Sequence, residues 1–410
     1  NMTKHYFSRF EEAVKNNWER LALANFRGES FTFGELATQI AKFHVFFETI
    51  GLNKGDKVAL CAKNSARWGV TFFAANTYEA VLVPILADFH PESVNSLVDH
   101  SESKVLLTDT DIWHKLDISQ MPSVKAVISS SDFSLLYAAD EAIRNASDNL
   151  QKLFDEKYPA GFSAADVSYP TDNDKNLAII NYTSGTTSAP KGVMLRYECI
   201  SANVAFGQKR LPSYPEDKIV SMLPMAHMYG MAFEFLYPMA SGCHIFFLGK
   251  TPTPSVLIKA LSEVKPYMLV TVPLVVEKIF KGKVMPTLNK PIMKILTAIP
   301  GINKIIYNKV RTKLLTTFGG NLERGSLIVG GAAINEKVEK LMKSLESDFQ
   351  TKDDVTAIVN GNSDILYDGR DFSETTIPAE YKEFAFGKGA KKGQFTELTF
   401  ANDTYSMARI

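Results

Sequence analysis

Residues 177–195 read Leu177-Ala178-Ile179-Ile180-Asn181-Tyr182-Thr183-Ser184-Gly185-Thr186-Thr187-Ser188-Ala189-Pro190-Lys191-Gly192-Val193-Met194-Leu195. The first four residues are a buried-strand signature that runs into a loop dense in Ser, Thr and Gly. Polyphosphate needs hydrogen-bond donors, and small residues let backbone N–H groups approach it. Thr183, Ser184, Thr186 and Thr187 add hydroxyls, and Lys191 adds a positive charge. Gly185 and Gly192 are expected to supply backbone angles closed to other residues. A helix ordinarily follows a phosphate loop directly; Val193-Met194-Leu195 reads instead as a strand, so the loop is expected to close a hairpin. The Walker pattern does not fit, because its second glycine position, counted from Gly185, holds Pro190, and Gly192 follows Lys191. Taken alone, Ser184-Gly185-Thr186 reads first as a solvated turn.

Outward from this stretch the chain alternates strand and helix. Residues 8–25 have helical spacing through Phe10, Ala13, Val14, Trp18 and Leu21. A short strand at 31–33 precedes a helix from Gly34 to about Ile50, stopped by Gly51. Strands are expected at 57–62, 81–85, 105–108, 124–129, 177–182, 219–223, 244–247, 268–272 and 327–329. Helices are expected at 65–80, 91–100, 199–209, 229–241, 254–264 and 335–345. The strands are apolar without alternation, which suits parallel strands covered on both faces. The rhythm predicts an α/β protein of two layered α/β subdomains with mostly parallel sheets, residues 1–165 and 166–347. Part of 140–175 is polar and reads as a surface connection. Residues 348–410 lose the rhythm and read as an atypical tail, irregular or β-rich with short antiparallel strands.

Forty-five acidic and forty-five basic residues leave no net charge, so there is no global footprint for nucleic acid. Cys61, Cys199 and Cys243 are too few and too far apart for a disulfide framework or a Cys-x-x-Cys zinc site. The N-terminus carries no apolar signal segment, and Asn1 before Met2 reads as a tag remnant. The apolar run 70–86 is broken by Asn76, Glu79 and Pro84 and does not span a bilayer. A cytoplasmic location is expected, and no strongly basic amphipathic helix stands out.

The segment Tyr182 to Leu195 resembles the phosphate-loop signature of the adenylate-forming (AMP-binding) superfamily of acyl-CoA synthetases, luciferases and peptide-synthetase adenylation domains. Further segments resemble that family in its order: 30–36 (SFTFGEL), 51–64 (GLNKGDKVALCAKN), 223–230 (LPMAHMYG) and 329–333 (VGGAA). Within it the chain is most similar to long-chain fatty acyl-CoA synthetases, through Asn203 and Phe318-Gly319-Gly320-Asn321-Leu322 as well, over residues 5–345. The resemblance implies a ligase that joins a fatty carboxylate to AMP, using Mg2+ and ATP, and then passes the acyl group to coenzyme A. It implies that Thr183, Ser184, Gly185, Thr186, Thr187 and Lys191 hold the nucleotide phosphates, with Thr186 or Thr187 touching magnesium. His227 would lie beside the acyl carboxylate, with Lys191 and His227 as the catalytic candidates; Gly330, Gly331 and Ala332 would line the adenine and acyl pocket. His227, one of seven histidines, reads equally as a satisfied core residue, and Gly330-Gly331 as a plain turn. Tyr229, Met231 and Phe233 each read first as ordinary helix core; as a set with Met268 and Val272 they favour an aliphatic chain, while nearby Glu234 would suit an amino acid. The implied partners are a fatty acid, ATP and coenzyme A, with loose peripheral membrane contact and no nucleic acid.

The chain departs from the family after residue 333. Neither the aromatic-Gly-x-Thr-Glu segment nor the Thr-Gly-Asp segment is present in 334–410; Tyr367-Asp368-Gly369-Arg370-Asp371 has the wrong order, and Lys388 lacks the context of the family's adenylation lysine. Three readings follow: a truncated enzyme, a non-catalytic nucleotide- or acyl-binding relative, or residues after about 345 out of natural order. An adenylating ligase for an amino or aryl acid is a further alternative.

Overall fold

A computed structural model of the chain describes residues 3–182, 191–211, 213–249, 253–322, 327–329, 399–401 and 404–406. These residues divide into two compact units. One comprises 1–204, 213–271 and 315–328; the other comprises 205–212, 272–314 and 329–410.

The first unit is a layered α/β body. Its seven-stranded sheet contains β3 (Lys57–Cys61), β4 (Val81–Ile85), β5 (Val105–Thr108), β6 (Ala126–Ser129), β7 (Leu135–Ala138), β8 (Leu177–Tyr182) and β9 (Gly192–Arg196), in the order β7-β6-β5-β3-β4-β8-β9. The five inner strands run parallel, and β7 and β9 are antiparallel edges. Its four-stranded sheet contains β1 (Leu21–Asn25), β2 (Ser30–Thr32), β10 (Lys218–Ser221) and β11 (His244–Phe247), in the order β10-β11-β1-β2. β12 (Leu269–Thr271) pairs with β13 (Leu327–Val329). Strands from both sides of residue 165 pair within each main sheet, so sequence neighbours and sheet neighbours are sorted differently.

The parallel strands β4 and β5 bury every residue, as does β6. Helices cover both faces, which is why these runs are apolar without alternation. The helix Ala66–Thr77 explains how the two sheets share one core. All its residues except Arg67 are buried, and it packs against β1 on one sheet and β3 and β4 on the other. A helix apolar all round belongs in such an interior position. Gly69 lets it come close: a Cβ there would lie 2.9 Å from Leu23 Cδ1 and 3.0 Å from Phe235 Cε2. Around it Phe10, Phe72, Phe73 and Phe235 stack and abut edge to face. The helix Phe33–Thr49 starts at a capping box, with the Thr32 hydroxyl accepting from Glu35 N–H and the Glu35 carboxylate accepting from Thr32 N–H. It ends before Gly51, whose φ is +76°.

Several sequence expectations are corrected. The helix of 8–25 ends at Asn16, and Leu21–Asn25 is the strand β1. Leu21 to Asn25 alternates an apolar residue with alanine, a pattern that a short helix also satisfies, and pairing with β11 and β2 decides it. The polar stretch 140–175 contains two helices, Glu141–Asp148 and Leu150–Lys157. The helix at 229–241 contains a π turn, Ala232–Leu236, between Met228–Met231 and Tyr237–Ala240. The helix expected at 335–345 lies outside the described residues. Of the tail, the described part is an antiparallel pair, β14 (Thr399–Ala401) and β15 (Thr404–Ser406).

The described part of the second unit holds the β14–β15 pair and, between 272 and 314, a run of helices: Pro273–Ile279, a π turn Phe280–Val284, Met285–Leu288, Pro291–Ala298 and most of Ile302–Thr317.

Candidate functional site

The hairpin expected around the phosphate loop is present. β8 and β9 pair antiparallel, with Ile180 opposite Met194 and Tyr182 opposite Gly192. Thr183, Ser184, Gly185, Thr186 and Thr187 lie between them, outside the described residues. Lys191 is exposed at the mouth of the hairpin. Gly192 serves a different purpose from the one expected. It is absent from the positive-φ positions; what it supplies is space. A Cβ there would lie 2.5 Å from Ile180 Cγ2 and 3.3 Å from the Tyr182 ring.

The end of β8 is anchored twice. Tyr182 Oη sits 2.7 Å from His100 Nδ1 on the helix Pro91–His100; burial raises the Tyr182 phenol above its usual range. Asn181, itself buried, donates from Nδ2 to the Ala226 carbonyl at 2.8 Å. That bond joins the phosphate hairpin to Leu223–Gly230, the second segment singled out in the sequence.

Leu223–Gly230 leaves the carboxyl end of β10 and is braced by two further side chains. Asn64, just past the carboxyl end of β3, donates to Leu223 C=O at 2.6 Å and accepts from Met225 N–H at 2.9 Å. Glu234, fully buried on the π turn, accepts from Ser221 Oγ at 3.1 Å, Leu223 N–H at 3.0 Å and Met222 N–H at 3.1 Å. Burial pushes its carboxyl up to about 8, against the lowering effect of these donors. Gly230 has no room for a side chain, since a Cβ would lie 2.9 Å from the Pro224 carbonyl oxygen.

His227 occupies the N-cap position of Met228–Met231 without a side-chain capping bond and is exposed, which removes the reading of it as a satisfied core residue. Met231 and Met268 are fully buried core residues. Tyr229 and Phe233 remain partly exposed, with ring centroids 5.6 Å apart. Tyr229 Oη is 3.5 Å from the Thr271 carbonyl at the end of β12. Glu234 turns its carboxyl group to Ser221 Oγ and the N–H groups of Met222 and Leu223, so its acceptors are already engaged by that turn. Gly330, Gly331 and Ala332 lie outside the described residues.

The structure therefore brings Lys191 and His227 into one neighbourhood through the chain Lys191-Gly192, Tyr182-Asn181 and Ala226-His227. Both lie beyond the carboxyl ends of parallel strands, where open α/β sheets place ligands. Asn64 and Asn181 were not singled out in the sequence. Their signal was a single amide at the end of each apolar strand run, 57–62 and 177–180. The described residues contain no cluster of three His, Cys, Asp or Glu able to hold a metal. Magnesium that arrives on ATP needs no such cage, because it keeps waters and takes one or two protein ligands beside the phosphates. No described helix is long and apolar enough to cross a membrane. A cleft walled by Phe43, Phe46, Ile128 and Phe133 contains none of the candidate residues.

This arrangement is the fold of the large domain of adenylate-forming enzymes. The N-terminal domain of FACL13 from Mycobacterium tuberculosis aligns with a TM-score of 0.60 at 17% identity, covering 83% of this chain and 73% of that one. The anthranilate CoA ligase AuaEII, in complex with anthranoyl-AMP, aligns with a TM-score of 0.61 at 14% identity, covering 84% of this chain and 57% of that one. The AMP-binding enzyme profile matches residues 10–352, and the chain belongs to that family. Among curated relatives, probable acyl-activating enzyme 16, chloroplastic, from Arabidopsis thaliana is 29% identical over 265 residues, which is 62% of this chain and 36% of that protein. Long-chain-fatty-acid–CoA ligase 1 from Saccharomyces cerevisiae is 26% identical over 393 residues, 90% of this chain and 53% of that protein. The chain thus spans between a third and about half of the length of these relatives. Another relative is named as peroxisomal, so kinship does not carry over the expected cytoplasmic location.

Proposed function

We propose that this chain forms the nucleotide- and acyl-binding large domain of an ATP-dependent ligase that activates a long-chain fatty carboxylate. The observation that carries the reading is the bond from Asn181 to Ala226, which joins the Ser/Thr/Gly hairpin to the His227 segment at the carboxyl ends of β8 and β10. The names of several relatives support the fatty substrate.

In this reading a carboxylate oxygen attacks the α-phosphorus of ATP, and the bond to pyrophosphate breaks. The thiolate of coenzyme A then attacks the acyl carbon, and AMP departs. Residues 183–187 and Lys191 hold the phosphates, where backbone N–H groups, hydroxyls and one ammonium offset the charge moved onto pyrophosphate. Thr186 is the magnesium contact, and Gly330, Gly331 and Ala332 flank the adenine. His227 faces the reacting carboxylate, with Tyr229 and Phe233 toward the first carbons of the chain. The buried turn held by Asn64 and Glu234 fixes where His227 stands.

A second reading, an aryl- or amino-acid ligase, is favoured by the likeness to the anthranilate ligase fold. Against the amino-acid form of it stands Glu234, the acidic residue nearest the apolar set in the sequence, which is engaged with three donors of its own. A third, non-catalytic binding, rests on the missing Thr-Glu and Thr-Gly-Asp segments. Calorimetry of ATP on wild type and on Lys191→Ala/Thr186→Ala tests the site; equal affinities would sink it. Pyrophosphate exchange and acyl-CoA formation across chain lengths and aryl acids then separate the readings. Turnover of aryl acids alone selects the second, and ATP binding without exchange selects the third.

A further inference from the structure

The segment 272–314 differs from the rest of the chain in charge. It carries nine basic residues and a single acidic one, Glu277, in a chain with 45 of each. It therefore has an excess of eight positive charges, and the remainder of the chain carries the matching negative excess. The helix Pro291–Ala298 buries none of its residues. Ile292 and Ile295 are each 65% exposed, Ile305 59%, Ile299 40% and Ile302 37%. Five isoleucines within fourteen residues thus face solvent, with exposed Lys290, Lys294, Lys304 and Lys309 among and beside them. Single exposed aliphatic residues are ordinary, but a run of this kind marks an interaction surface. The sequence shows no strongly basic amphipathic helix because Pro286, Pro291 and Pro300 divide the pattern among separate helices, none of which presents it whole.

We propose that residues 290–309 form a docking surface for an anionic lipid bilayer. The charge identifies the occupant. A second copy of this chain docked by the same face would set eight excess positive charges against eight, and a purely electrostatic partner such as nucleic acid would leave the isoleucines exposed. A bilayer with acidic headgroups satisfies both features: isoleucines enter the boundary between headgroups and acyl chains, and lysine ammoniums stay at phosphate depth on their flexible stems. The proposal does not rest on the ligase reading. If both hold, the chain is recruited to the phase in which long-chain carboxylates dissolve.

The test is flotation of the full chain with phosphatidylcholine vesicles, with and without phosphatidylserine. Binding is expected to phosphatidylserine vesicles, to fall as salt shortens the Debye length toward 3 Å, and to be weak on phosphatidylcholine alone. Lys290→Gln, Lys294→Gln and Lys304→Gln should each weaken binding about fivefold, and Ile292→Asn and Ile295→Asn about tenfold each. These side chains are exposed, so circular dichroism and melting of every variant should match wild type. Equal binding to both vesicle types, or binding unchanged in both sets of variants, overturns the proposal. So does self-association in sedimentation velocity that the Ile variants abolish while wild type ignores vesicles. ATP calorimetry on the same preparations reports separately on the ligase reading.

Discussion

Gly192→Ala is the sharpest test of how the phosphate hairpin is built. The new methyl would lie 2.5 Å from Ile180 Cγ2 and 3.3 Å from the Tyr182 ring. Carbon atoms in contact ordinarily sit about 3.5–4.0 Å apart, so about 1 Å of movement must be found. Ile180 is branched at Cβ and stiff about χ1, and it stands opposite Met194 in the same ladder. Neither the side chain nor the strand yields that distance freely, and overpacking of this kind costs about 1–3 kcal/mol. Urea unfolding followed by tryptophan fluorescence measures it well, because Trp18, Trp68 and Trp113 all belong to the first unit. The midpoint should fall with an unchanged slope. In an Ile180→Leu background, which removes Cγ2 while keeping volume, the alanine should cost less than half as much. A single variant within about 0.5 kcal/mol of wild type, or an equal cost in both backgrounds, would refute the steric account of Gly192.

Asn181→Ala strips one hydrogen bond from the 223–226 turn and Asn64→Ala strips two, and each should cost about 1–3 kcal/mol; because both brace one turn, the double variant should fall short of the sum in a urea-based cycle, and strict additivity would contradict the shared brace. Burial pushes the Glu234 carboxyl up to about 8 in the folded chain, against about 4.3 unfolded. The folded state then binds the extra proton between those values, so its contribution to stability falls as pH rises through that window, by a few kcal/mol in full. Glu234→Gln should flatten the slope of the urea midpoint between pH 5 and 8, on the order of that window, and an unaltered slope would contradict it. His44 is pushed down to about 4 by burial, with Nε2 at 2.9 Å from Thr77 Oγ1. Its contribution is present above about 6.5 and lost as pH falls toward 4; His44→Gln should lessen that acid-side loss, read from the same midpoints below neutrality.

The sequence carried the architecture of the parallel layers because buried strands and capped helices are encoded locally. Lys57–Cys61, Val81–Ile85 and His244–Phe247 are runs that no surface position tolerates, and Thr32 with Glu35 marks a helix start within four residues. The Tyr182–Leu195 pattern likewise encodes a hairpin locally, since a strand signature flanks the loop on both sides. The helical run 273–317 was less legible, because its prolines and exposed isoleucines break the periodicity that a packed helix displays.

Other features were settled only by the tertiary structure. Leu21–Asn25 became a strand through its partners in β11 and β2, which are distant or reversed in sequence. Glycine at 192 was visible in the sequence, but the reason for it, the approach of Ile180, exists only once two strands are in register. Asn64, Asn181 and Glu234 are unremarkable polar residues until 223–227 folds between them and its backbone groups must be satisfied in a buried place. The sequence by itself determined the strand–loop–strand unit and the order of the family's segments. Tertiary structure decided that Lys191 and His227 share one end of the sheets, because hydrogen bonds between residues 45 and 161 positions apart, at Asn181 and Asn64, hold the segments together and no local pattern encodes that distance.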